Sequence, residues 1–206
     1  MTTRDLTGVE LSTNRLTLRE FGETDIDALT EVCQDEEIAR YTMVPSPYRR
    51  ADAERFVRET CPSSRAAGTD AAFGVFTKDG DKLVGAVGLH KIADLGEPAG
   101  GSGGVGYWTA AWARRHGYTS EAVTAVCRWG FTELGLALIR WDAFVGNDGS
   151  SGVARRCGFV LEGTRRSALL HRGVRRDMWV GSMLAGEFVE PSTAPESQRL
   201  TALDDA

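Results

Sequence analysis

Arg114, Arg115, His116, Gly117, Tyr118 and Thr119 run consecutively in this 206-residue chain. Two guanidiniums precede a glycine, and the glycine precedes the best amphipathic segment in the sequence. Val123, Val126, Cys127, Phe131 and Leu134 recur there at spacings of three and four, which predicts a helix over residues 117–134 closed by Gly135. A helix start leaves backbone N–H groups without partners, and the helix dipole adds partial positive charge there. Glycine lets the backbone approach a ligand closely. The chemistry on offer is recognition of a phosphate-like anion. An ordinary strand-to-helix turn is the competing reading.

A second glycine cluster, Gly101-Ser102-Gly103-Gly104-Val105-Gly106, spells G-x-G-x-x-G. A dinucleotide site needs a strand before such a motif and a helix after it. Here Pro98 and small residues precede it, and Val105-Gly106-Tyr107-Trp108-Thr109 follows as a β-prone run. Residues 96–104 are expected as a flexible loop, not as a nicotinamide-cofactor site.

Further polar residues are candidates by type. Asn147 and Ser150 stand at the start of a short helix expected over residues 150–157, where both are favoured caps. His90 and His171 titrate near neutral pH. Glu20 and Glu37 are acidic alternatives for accepting a proton. Tyr41, Met43 and Tyr48 flank a Pro45/Pro47 loop that could wall a pocket. The four cysteines form no CxxC pair, and no histidine stands at ligand spacing, so no metal site is expected.

The elements that must position these residues follow from periodicity. Residues 14–19 alternate as a strand, and Thr24-Asp25 opens a helix running toward Gln34. Another helix is expected from residue 51 to about 58–60, ended by Pro62. Residues 71–77 and 83–92 read as a hairpin around Asp79-Gly80. Strands follow at 105–109 and 139–145, and a last hairpin at 159–170 and 174–184 turns at Arg172-Gly173. Residues 1–10 read as flexible, and 190–206 as a disordered polar tail. The fold class is mixed α/β of the α+β type, with one domain over residues 11–189.

Net charge is −5, which disfavours nucleic acid as the main partner. The excess of arginine over acid between Arg114 and Asp177 suits a polyanionic small molecule, and the acidic N-terminal half suits a cationic amine. No apolar run approaches the ~18 residues of a membrane span, and no secretory signal is visible, so a cytoplasmic location is expected.

In order and spacing these stretches resemble the GNAT superfamily of N-acetyltransferases, within it the branch named for ribosomal-protein alanine N-acetyltransferases. Arg114, Gly117 and Thr119 stand at the fixed positions of the family's Q/R-x-x-G-x-G/A loop, with Thr119 departing from Gly/Ala. Gly106-Tyr107-Trp108 is similar to its splayed strand. Asn147, Ser150, Gly158 and Phe159 are similar to its N-x-x-S…G-F segment. Glu162-Gly163, Gly173 and Asp177 resemble the closing hairpin of this branch, and residues 14–19 its opening strand.

The resemblance implies a central, mostly antiparallel sheet, splayed between its fourth and fifth strands and flanked by helices. It implies acetyl-CoA as co-substrate, without a metal. The cofactor would lie along Trp108, Thr109, Ala110 and Ala111, with its diphosphate on residues 114–119. Asn147 would bond the pantetheine, and Ser150 the departing sulfur. The glutamate proposed as base in the alanine-acetylating branch falls on Leu169, so that role does not carry over and His90 becomes a candidate. Tyr41, Met43, His90 and His171 are expected near the acceptor. The implied acceptor is a small-molecule, antibiotic, amino-acid-like or peptide amine; a protein N-terminus is the alternative. A non-catalytic acyl-CoA-binding regulatory module would bind without turnover. Homodimerisation stays open.

Overall fold

Short runs of β-branched and aromatic residues, broken by Gly-centred turns, pair into one sheet in this computed structural model, which describes residues 4–189. The strands are β1 (Leu11–Ser12), β2 (Leu16–Arg19), β3 (Ala71–Thr77), β4 (Leu83–Ala93), β5 (Gly101–Thr109), β6 (Leu136–Phe144), β7 (Val160–His171) and β8 (Val174–Leu184). Their order is β1-β2-β3-β4-β5-β6-β8-β7. The helices are α1 (Ile26–Val32), α2 (Glu36–Tyr41), α3 (Arg50–Arg55), α4 (Cys61–Ala66), α5 (Tyr118–Thr132) and α6 (Asp148–Arg156). No helix among the described residues is long and apolar enough to cross a membrane.

Every strand pair is antiparallel except β5 and β6. That parallel ladder runs from Gly101↔Leu136 to Val105↔Trp141 and stops. Beyond it β5 stays with β4 as far as Gly85↔Thr109, while β6 stays with β8 as far as Phe144↔Met178. The sheet therefore opens after Val105. This is the expected splay, and it falls between the fifth and sixth strands because short β1 adds one to the count.

Side chains alternate across the sheet. On one face α5 buries Val123, Val126 and Cys127 against Leu89, Val105 and Ile139. On the other, α1 and the α3–α4 segment bury Ile26, Leu29 and Val57 against Phe21, Phe76 and Leu83. The four cysteines are free. Burial pushes the Cys33 and Cys61 thiols up to about 12, so both behave as small apolar side chains at neutral pH.

Three expectations need correction. The glycine cluster expected as a loop is inside β5. A Cβ at Gly104 would come within 2.5 Å of the His90 ring, and one at Gly101 within 2.8 Å of the Ala93 carbonyl. The glycines let β4 groups lie across β5, and no helix opens from them, so the dinucleotide reading lapses. Pro62 does not end its helix. A π-helical stretch, Phe56–Thr60, runs into α4, and Pro62 sits in the first turn of α4, where a missing N–H costs little. Residues 1–10 are anchored within their described part: Leu6 is 1% exposed, and its amide donates to the Arg65 carbonyl. The tail expected over 190–206 lies outside the described residues.

Arg65 closes that anchor. Its side chain is fully buried, stacks 4.4 Å from the Phe73 ring centre, and donates to the carbonyls of Leu6 and Ala72 at 2.7 Å each. Arg65→Ala would leave a cavity and two unpaired carbonyls. We expect it to remove about 3 kcal/mol or more of stability in urea unfolding. A loss under about 1 kcal/mol would mean the N-terminal segment contributes little to the fold.

Candidate active site

The loop at residues 114–119 is held in shape by backbone and by side chains distant in sequence. Gly117 caps α5 with φ +76°, and Arg115 sits at φ +67°. Arg15 on the N-terminal side reaches across. Its guanidinium donates to the His116 carbonyl at 3.1 Å and to Glu121 at 2.7 Å, and it lies 4.5 Å over the Tyr118 ring. Glu121 also accepts from the Thr13 hydroxyl at 2.6 Å. The first-turn acid of α5 therefore ties the loop to the opening of the chain.

Within the loop the cations are used differently. Arg114 pairs with Asp35 at the start of α2 and donates to the Thr109 carbonyl at 3.3 Å. Arg115 is exposed. Arg156, in the last turn of α6, donates to Ser120 at 3.3 Å and brings a third guanidinium to the same groove. Thr119, at the departing position, places its hydroxyl 2.6 Å from that of Thr109. That hydroxyl ties the splayed strand to the helix start.

The groove has a volume of about 790 Å³ and joins this loop to the splay. Trp108 and Thr109 line it, as do Arg114, Arg115, His116, Gly117 and Thr119. Asn147 and Ser150 line it at the start of α6. The sequence thus names most of one wall. Three expected contacts are absent from it. Ala110 is buried, and its amide donates to the Val84 carbonyl at 2.8 Å, so it has nothing to offer a ligand. Ala111 is exposed outside the groove, and Tyr118 packs beneath Arg15.

Asn147 caps α6, its side-chain oxygen accepting from the Ser150 amide at 3.1 Å. Ser150 belongs to a closed set of hydrogen bonds. The Trp141 indole donates to its hydroxyl at 3.0 Å, that hydroxyl donates to Tyr107 at 3.1 Å, and Tyr107 donates to the Ser150 carbonyl at 3.0 Å. Burial raises the Tyr107 hydroxyl well above its ordinary range, so it is a neutral donor. Tyr107 and Trp141 were missed as partners of Ser150, being 43 and 9 residues away on other elements.

The acceptor-side candidates separate. Tyr41 lines the groove and donates to the Gly146 carbonyl at 3.2 Å across it; Glu37 lines the same wall. Met43 is 66% exposed and lies outside. His171 is buried, 4.8 Å from the Phe144 ring, with its Nε2 3.0 Å from the Thr42 carbonyl; it pins the closing hairpin to the loop after α2. Tyr48 is core, packed beside Cys33. Glu20 accepts the Gly8 amide at 2.6 Å and sits beside Arg65, away from the groove. His90 lies in a different cavity of about 390 Å³ that shares no lining residue with the groove.

A sheet parted after Val105, a cationic helix start facing the parting, and a second helix start alongside are the features of one fold class. The family model of the acetyltransferase (GNAT) domain matches residues 15–160, and the chain belongs to that family. The N-acetyltransferase YoaA of Bacillus subtilis (strain 168) is 26% identical over 174 residues, covering 84% of this chain and 96% of that protein. The ribosomal-protein-alanine acetyltransferase from Vibrio fischeri superposes with a TM-score of 0.74 at 19% identity, over 88% of this chain and 100% of its own. The microcin self-immunity acetyltransferase MccE, solved with acetyl-CoA and AMP, superposes with a TM-score of 0.74 at 20% identity, over 87% of this chain and 98% of its own. The chain is an acyl-CoA N-acyltransferase.

Proposed function

We propose that this enzyme transfers an acetyl group from acetyl-CoA to the primary amine of a small or peptide-like acceptor by direct attack. The observation that carries the reading is the groove itself, which runs from the α5 start to the splay and holds Asn147 and Ser150 at its inner end. The residues fit the co-substrate. Unpaired helix-start amides, Gly117 at positive φ, and Arg115 and Arg156 suit a diphosphate. The strand edge at Trp108–Thr109, freed by the splay, suits the amide-rich pantetheine as an added strand. Ser150 then supplies a hydrogen bond to the departing sulfur, directly or through Tyr107.

His90 is the base in this reading, acting from the other face of the sheet. Burial and the neighbouring Lys91 hold its pKa below the usual 6.5, so it is neutral at physiological pH. A histidine with a depressed folded pKa takes up its proton less readily than the unfolded chain. Its contribution to stability is therefore present above pH 6.5 and lost as pH falls below it. The acid limb of kcat/KM should accordingly lie below pH 6.5. His90→Gln should remove that limb and lower kcat/KM by roughly a hundredfold. An unchanged profile would return His90 to a packing role against Gly104.

The deciding experiment is thiol release from acetyl-CoA against amino acids, short peptides, polyamines, aminoglycosides and peptides copying ribosomal-protein N-termini. Transfer to the small amines supports the reading. Transfer confined to the protein-like N-termini replaces it with the ribosomal-type alternative, and acetyl-CoA binding without turnover on any amine replaces it with a binding module.

A further inference from the structure

Consecutive residues of a strand point to opposite faces. Tyr107 and Trp141 meet Ser150 in the groove, so Gly104, Gly106, Arg140 and Asp142 belong to the reverse face. There the second cavity opens, lined by His90, Lys91, Arg140, Asp142, Glu162 and Arg165. Its floor is glycine. The His90 ring is 2.5 Å from where a Gly104 Cβ would be and 3.5 Å from that of Gly106. Val105, between them, is the last residue of β5 paired with β6. The imidazole therefore reaches from the last paired residues of β5 to Gly106, the first beyond them, and the cavity lies next to the parting on the side away from the groove.

The charges of this cavity are unequally satisfied. Asp142 is paired with Arg165, and Glu162 accepts from the Ser182 hydroxyl. Arg140 has only a 3.4 Å contact with Ser102, and neither Arg140 nor Lys91 forms an ion pair among the described residues. His90 between them is neutral. With Asp142 and Arg165 neutralising each other, Lys91 and Arg140 stand against Glu162 alone, and this excess of one positive charge beside the parting is a place for an anionic group.

We propose that this cavity is the acceptor site and that it selects amines bearing a carboxylate, such as amino acids or short peptides with a free C-terminus. The inference rests on the transfer reading given above. Arg140 and Lys91 hold the carboxylate, while the amine reaches past His90 to the carbonyl carbon. The nitrogen lone pair forms the new C–N bond, the C–S pair leaves with sulfur, His90 takes the surplus amine proton and passes it to solvent, and the thiolate, hydrogen-bonded by Ser150 or Tyr107, takes up a proton from solvent. This supplies a feature absent from a protein N-terminus, whose carboxylate is remote, and so distinguishes the two acceptor classes.

The test compares glycylglycine, β-alanine and L-glutamate with glycylglycinamide, β-alaninamide and putrescine. We expect the free acids to lead by about tenfold or more in kcat/KM, the size of one charge-assisted contact. In Arg140→Gln the lead should collapse chiefly through a raised KM for the acids, and in Lys91→Gln it should collapse together with a rise in the acid limb set by His90, while acetyl-CoA affinity stays the same in both. Equal use of acids and amides, or variants that affect both alike, would overturn the proposal. Should no amine accept acetyl, the transfer reading fails, and thermal shift decides the cavity separately. Stabilisation by glycylglycine that Arg140→Gln abolishes supports an acid-binding site, and no stabilisation, or the same with both proteins, rejects it.

Discussion

Gly117→Val should weaken acetyl-CoA binding by on the order of a hundredfold or more while leaving the protein folded. The backbone at this position has φ +76° and caps a 15-residue helix. A β-branched residue pays about 1–2 kcal/mol to adopt that conformation. A new Cβ would stand 3.5 Å from the Arg15 guanidinium, the group that braces the His116 carbonyl. Either the side chain stays and its methyls crowd the helix-start amides, or the turn relaxes and re-aims them. Loss of one amide contact to a charged phosphate costs about 1.5–3 kcal/mol, and each 1.4 kcal/mol is about tenfold in Kd. Gly117→Asn is the informative control, because asparagine tolerates left-handed backbone. It should weaken binding by about tenfold or less. Calorimetric titration with acetyl-CoA reads both variants, and unchanged affinity in Gly117→Val would remove the anion loop from the site.

The parts of this site that the sequence displays are those encoded locally. Gly117 and the repeating apolar positions of α5 are neighbours in the chain, so helix start, glycine and cations announce themselves together. Asn147 and Ser150 do the same for α6. What tunes the loop is set by tertiary contacts: Arg15 on His116 and Glu121, Asp35 on Arg114, Arg156 on Ser120. No periodicity links residues 79 or 101 positions apart.

The misread glycines of β5 show the opposite failure. Glycine has low strand propensity, and its run between Pro98 and Val105 reads as a loop. It forms a strand because only a residue without a side chain leaves room for His90 and Ala93 from the neighbouring strand. The same substitution of space for propensity explains why His90 was visible as a residue type while its cavity was not. Pro62 failed as a helix stop for a related reason. A proline ends a helix only where its nitrogen would have donated, and the π-helical turn before it resets that position.

Ser150→Ala should lower kcat by roughly a hundredfold, the range of a lost general-acid group, while acetyl-CoA affinity changes by less than about threefold. In the structure the Ser150 proton goes to Tyr107, and the Tyr107 proton goes back to the Ser150 carbonyl. Trp141 fixes the serine oxygen from the third side at 3.0 Å. The two hydroxyls thus act as a unit: either one can turn toward sulfur only if the other keeps a partner. Tyr107→Phe removes the acceptor of the serine proton but leaves that proton available, so a smaller fall is expected, about tenfold. Groups acting as a unit are not additive, and the double variant should be no slower than Ser150→Ala alone. Ser150→Ala also strips the Trp141 indole of its acceptor, a cost of about 1–3 kcal/mol in stability that urea unfolding reads separately from turnover. Normal turnover in Ser150→Ala, with only that stability loss, would reduce Ser150 to a structural bridge between β6 and α6. A deeper loss in Tyr107→Phe than in Ser150→Ala would instead make the tyrosine the group that meets the sulfur.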